Sequence, residues 1–114
     1  MTRITVEYEG DAIRRLECVG HAGDTAQGEN IVCAAVSVLM QTCVNAVEQI
    51  AGIPPRTTVD EARALISLEL PQATEQQARD AQIILRTTLL GLTDISHEYP
   101  QLVKLNRLYG RNLT

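Results

Sequence analysis

Phenylalanine and tryptophan are both missing from this chain of 114 residues, and its only aromatics are three tyrosines. The core must therefore be built from Leu, Ile, Val and Ala. A pocket for a large apolar ligand must be lined mostly by aliphatic side chains. Cysteine is scarce and odd in number: Cys18, Cys33 and Cys43. Their spacing gives no disulfide framework, and with no C-x-x-C or H-x-x-H pair a structural zinc site is not expected. Nothing in the pattern calls for a metal or a cofactor. Basic residues are outnumbered, ten Lys and Arg against fourteen Asp and Glu, for a net charge of −4. Such a balance lacks the electrostatic footprint of a nucleic-acid binder and suits a basic partner better. No apolar run is expected to approach the length of a membrane span, and MTRITVEYEG has no apolar leader region. A thiol-bearing chain without disulfide patterning is expected in a reducing cytoplasm.

What is present is ordinary in bulk: 45% apolar and 21% charged residues. That suits one compact domain spanning residues 1–114, with a core large enough to need no staples. Ile4, Val6 and Tyr8 alternate with Thr5 and Glu7 in RITVEY, the pattern of a half-buried strand. Glu9-Gly10-Asp11 is turn chemistry. Ile13–Val19 is a second strand, with Leu16 and Cys18 on one face. Gly20–Glu29 is a glycine-bearing loop. Asn30 is a good N-cap for an apolar helix from Ile31, with Val32, Val36, Leu39, Cys43, Ala46 and Ile50 at helical spacing. The first half of that helix is expected to be buried on most sides. Gly52 and Pro54-Pro55 end it. Arg56–Arg63 reads as a polar connection, and Leu65–Leu70 as a third strand. Thr74 and Gln77 fit a capping box that opens a second helix reaching roughly Asp94, with Ala78, Ala81, Leu85, Leu89 and Leu92 as its stripe. Leu102–Leu108 alternates as a possible fourth strand. The order β-β-α-β-α-(β) predicts an α+β two-layer domain: a mixed or antiparallel sheet of three to four strands with two helices on one face.

The chemistry concentrates in GHAGDTAQGENIVCAAVSVL, Gly20 to Leu39. With Asn30 as N-cap, Cys33 sits at N3, where the positive end of the helix dipole favours a thiolate. Unpaired amides of that turn would also suit an oxyanion. His21 ends the second strand, where a neutral imidazole could take the thiol proton and return it to a leaving amine. Gly20, Gly23 and Gly28 are candidate hinges of a loop that closes on substrate. Each residue also has a plainer reading. Cys33 could be an inert core thiol, and His21 a solvated strand-end residue. Ser37, one helical turn after Cys33, could contact the thiol or the substrate backbone, or simply bond the carbonyl of Cys33. Cys18 and Cys43 read as small core residues, and His97 as a surface residue.

Gly20-His21-Ala22, then Gly28, then Ile31-Val32-Cys33-Ala34-Ala35-Val36-Ser37-Val38-Leu39 resembles the signature of the bacterial ribosomal-processing cysteine protease family. The likeness extends over nearly the whole chain, including the Tyr99-Pro100 tail. It implies a cysteine endopeptidase that removes the N-terminal extension of large-subunit ribosomal protein twenty-seven, cutting after a hydrophobic segment. The family's catalytic pair falls on His21 and Cys33, and the resemblance also implies a homodimer. One position departs from the pattern: Asn30 stands where the family usually has Asp. If that acid orients the base, such a change can lower turnover by about four orders of magnitude. If it only caps the helix, the effect is small. A binding module that holds a ribosomal protein or peptide without cutting it is the alternative reading.

Overall fold

The computed structural model describes residues 1–21 and 27–110, with the backbone alone for residues 27–30. Seven elements follow in order: β1 (Thr2–Glu9), β2 (Ala12–Val19), α1 (Gln27–Gln49), β3 (Arg56–Asp60), β4 (Leu65–Glu69), α2 (Glu75–Glu98) and β5 (Val103–Tyr109). The strands form one sheet in the order β3-β4-β2-β1-β5. β1 and β2 pair as the expected antiparallel hairpin, turning at Gly10 with φ 63°. β5 runs parallel to β1 and hence to β4, the strand before it in the chain, so α2 serves as the β4–β5 crossover.

The sheet thus has five strands among the described residues, one more than the expected upper limit. The extra strand is β3, whose sequence RTTVD had read as a connection. It pairs antiparallel with β4 at the sheet edge. The register Val59↔Ile66 and Cys18↔Ile66 puts Val59 on the same face as buried Cys18. Yet Val59 is 63% exposed. The helices do not cover the edge, so β3 has no buried side to impose an alternating pattern.

A single core joins the helix-side face of the sheet to both helices. Ile4, Val6, Leu16, Cys18 and Leu68 from the strands meet Val32, Val36, Met40, Cys43 and Val47 of α1 and Ala81, Leu85, Leu89 and Leu92 of α2. Full burial of each large aliphatic side chain is worth about 1.5–3 kcal/mol. The inward stripe of α1 differs from the expected one: Met40 and Val47 are buried, while Ile50 is exposed. Its first half is also not enclosed, because Ile31 and Val38 are exposed. The stretch Ile31–Gln49 has a mean hydropathy of 1.6 and is long and apolar enough to span a membrane. That corrects the expectation that no such run exists. Here its inward side packs on the sheet.

α2 opens with the expected capping box: Gln77 N–H donates to Thr74 Oγ1 (3.2 Å) and Thr74 N–H to Gln77 Oε1 (3.0 Å). Gln77 Nε2 also donates to Gly52 O (3.1 Å), tying the two helices together. The helix runs to Glu98, one turn beyond the expected end, with His97 in its last turn. Gln82 locks α2 to β2 through two 2.8 Å bonds with the backbone of Ile13. At Gly91 an added Cβ would lie 3.2 Å from Leu39 Cδ1, so the glycine lets the helices approach.

Candidate active site

β2 runs out at Val19, and the next two residues are held by two separate segments. Gly20 has φ 96°, a left-handed conformation that favours glycine. A Cβ there would also collide with the carbonyl oxygen of Met1. Gly20 N–H is shared between the carbonyls of Arg63 (3.2 Å) and Ala64 (3.1 Å), and its own carbonyl accepts from Thr2 Oγ1 (3.0 Å). The carbonyl of His21 accepts from the Met1 amino group. The start of β1 and the β3–β4 turn therefore clamp the backbone that carries His21, while its side chain is exposed. The turn is shaped by Asp60, whose carboxylate accepts from the backbone N–H groups of Ala62 (3.1 Å) and Arg63 (3.4 Å). It leaves Ala64 at φ 50°.

Cys33 comes from α1. It is half-buried and packs against the core. His21 and Cys33 line the same cleft of about 700 Å³, which lies between α1 and the uncovered β3–β4 edge. Ser37, one turn after Cys33, lines it as well. The structure thus places four residues singled out from the sequence, Gly20, His21, Cys33 and Ser37, on one cleft.

The other two thiols are set apart by their surroundings. Cys18 is 3% exposed and Cys43 1%. Burial, with smaller contributions from the Glu17 charge and Cys43, pushes the Cys18 thiol up to about 12. Burial also raises Cys43, and a hydrogen bond with Thr88 pulls it partly back. Both stay protonated at neutral pH, and a protonated thiol is a poor nucleophile. No disulfide joins the three cysteines. Among the described residues, no three His, Cys, Asp or Glu side chains are grouped to hold a metal ion.

The helix start is corrected. α1 begins at Gln27, so Asn30 lies within its first turn and is not the N-cap. Cys33 is then the seventh helical residue and not N3. The dipole effect falls off within the first turn, and only the first four N–H groups of a helix lack a partner inside it. The sequence-derived case for Cys33, a thiolate and an oxyanion served by the helix terminus, is therefore weaker than its position in the cleft. Gly28 falls inside α1 and so is not a hinge of the loop. Gly23 lies outside the described residues, as does the side chain of Asn30. Sequence reasoning missed the far wall of the cleft, formed by Thr57, Val59, Asp60 and Glu61. The available signal was Asp60 itself, an Asx-turn residue at the end of an unrecognised strand.

The sequence profile of the family described as cysteine protease Prp matches residues 1–104. The ribosomal processing cysteine protease Prp of Bacillus subtilis is 30% identical over 101 residues, covering 87% of this chain and 90% of that protein. A crystal structure from Streptococcus mutans superposes with a TM-score of 0.88 at 29% identity and covers 96% of each chain. The Staphylococcus aureus ribosomal processing protease Prp, solved with a covalently linked product peptide, superposes with a TM-score of 0.81 at 25% identity. That match covers 94% of this chain and 99% of the S. aureus chain.

Proposed function

Because the chain belongs to the cysteine protease Prp family, and is thus a cysteine protease, we propose that His21 and Cys33 form its catalytic dyad. The substrate in this reading is the N-terminal extension of large-subunit ribosomal protein twenty-seven. The observation that carries the assignment is selective placement. Among the described residues His21, Cys33 and Cys18 line one cleft, but Cys18, like Cys43, is buried with its thiol held in the protonated form, whereas Cys33 is half-buried.

The chemistry follows from those two side chains. His21 takes the thiol proton as Cys33 Sγ attacks the scissile carbonyl carbon. The C–N bond then breaks, and His21 returns the proton to the leaving amine. Water hydrolyses the thioester, releasing the carboxylate product and restoring the thiol. Ser37 offers a hydroxyl to the reacting carbonyl or the thiol from one turn away. The reaction requires no metal and no cofactor. Aliphatic cleft residues such as Val44, Val59 and Ile66 match a hydrophobic segment beside the cleaved bond.

The proposal extends to a homodimer in a reducing cytoplasm, with no direct role for nucleic acid. Ile31 and Val38 on α1, and Ile83 and Leu90 on α2, are exposed large aliphatics. Each pair is seven residues apart and so shares one helix face.

Incubation with a peptide spanning the extension's cleavage site tests the catalytic reading. The wild-type protein should release two fragments, and Cys33→Ala and His21→Ala should each release none. Cleavage that survives Cys33→Ala rules the dyad out.

A further inference from the structure

Cys33 begins a line of residues along α1. Ser37, Gln41 and Asn45 follow at successive four-residue steps, which stack on one side of a helix. All four line the cleft. Gln41 and Asn45 are exposed, on a helix otherwise rich in aliphatic side chains. Their amides can each donate and accept. Across from them are Thr57 and Val59, on the helix-side face of an edge strand that the helices leave uncovered. Val36, Val44 and Ile66 supply an apolar lining between.

The dimensions suit an extended chain. Twelve residues of helix from Cys33 to Asn45 span about 18 Å. An extended peptide rises about 3.3 Å per residue, so roughly five residues fit that length. Alternate side chains of such a peptide would face the aliphatic lining, while its backbone amides lie beside the polar ladder. An extended backbone carries one donor and one acceptor per residue. A rail of carboxamides can pair with both, whatever the side chains are.

We propose that Gln41 and Asn45 are positioning residues that read the substrate backbone, with Thr57 opposite them. They would hold about five residues on one side of the scissile bond in extended form. This inference rests on the peptidase reading of the same cleft. It adds that recognition is long, one-sided and directed at the main chain.

The test compares the full cleavage-site peptide with two truncated forms, one shortened from each end. Binding is measured by fluorescence anisotropy on Cys33→Ala, and cleavage on the active protein. The expected result is that one truncation weakens binding and the other does not. Gln41→Ala/Asn45→Ala should raise KM for the full peptide by about tenfold, the scale of one or two lost hydrogen bonds, with kcat little changed. The rise should be much smaller for the peptide lacking the sensitive end. N-methylation of a backbone amide in that end should weaken binding to the parent protein but add little to the double variant. Equal losses on all three peptides, no loss, or no binding of any peptide would overturn the rail. Length-dependent binding without cleavage would sink the peptidase reading and leave the rail standing. Cleavage indifferent to the variant sinks the rail alone.

Discussion

At the residue scale, three cysteines with the same side chain have different chemistry because of where they sit. Cys18 and Cys43 are buried in the core, Cys18 bordering the same cleft as Cys33, and Cys33 alone of the three is half-buried. The buried pair has a consequence for stability. The folded Cys18 thiol ionises near 12 against an ordinary 9.0. Below 9.0 both states hold the proton, and the contribution is fully present. Above it the unfolded chain ionises first, so stability falls by up to about 1.4 kcal/mol per pH unit between 9.0 and about 12. Cys43 is shifted in the same direction. Urea midpoints measured over that range should fall with a slope that Cys18→Ala reduces, and a slope unchanged in the variant contradicts the assignment. Gly20 is the other sensitive residue. Its left-handed φ alone costs a residue with a Cβ about 1–2 kcal/mol, and the Met1 carbonyl leaves no room for the added atom. Gly20→Ala should lower the melting temperature and slow peptide cleavage, since the same backbone carries His21. A variant with parental stability would show that the segment is not clamped as described.

At the scale of elements, legibility followed burial. β1, β2, β4 and the capping box of α2 were readable because each has a buried side or a fixed local hydrogen-bond pattern. β3 was not, because an uncovered edge strand leaves its composition unconstrained. The start of α1 was misplaced by one turn. Asn30 is chemically a good cap, and only the backbone shows that the helix already exists there. That His21 and Cys33 share a cleft was legible, but for a partly wrong reason. Helix-terminus chemistry suggested Cys33, whereas its partial exposure in the cleft is what sets it apart from the two buried thiols. The corrected helix start yields a prediction for Asn30→Asp. A carboxylate in the first turn should stabilise the fold by about 0.3–1 kcal/mol through the dipole, while kcat changes by less than about threefold. A gain of orders of magnitude in kcat would instead give residue 30 a direct role in orienting His21. For α2, Thr74→Ala should cost about 1 kcal/mol in chemical denaturation by removing one half of the capping box.

At the scale of the whole molecule, two crossovers, β2–α1–β3 and β4–α2–β5, place both helices over the centre of the sheet and leave the β3 edge open. The open edge makes the cleft, and the outward helix faces carry the exposed aliphatics. If the helix layer joins two copies, Val38→Glu/Leu90→Glu should shift the sedimentation coefficient from dimer to monomer without unfolding the domain. A parent protein that sediments as a monomer at high concentration rules that arrangement out. The central claim is that one thiol of three does the chemistry. An electrophilic peptide chloromethyl ketone carrying the cleavage-site segment tests it most directly, with the adduct located by mass spectrometry. A single adduct on Cys33, with cleavage lost in proportion to labelling and no adduct in Cys33→Ala, is the result expected. An adduct on Cys18 or Cys43, or full cleavage by protein labelled at Cys33, would contradict it.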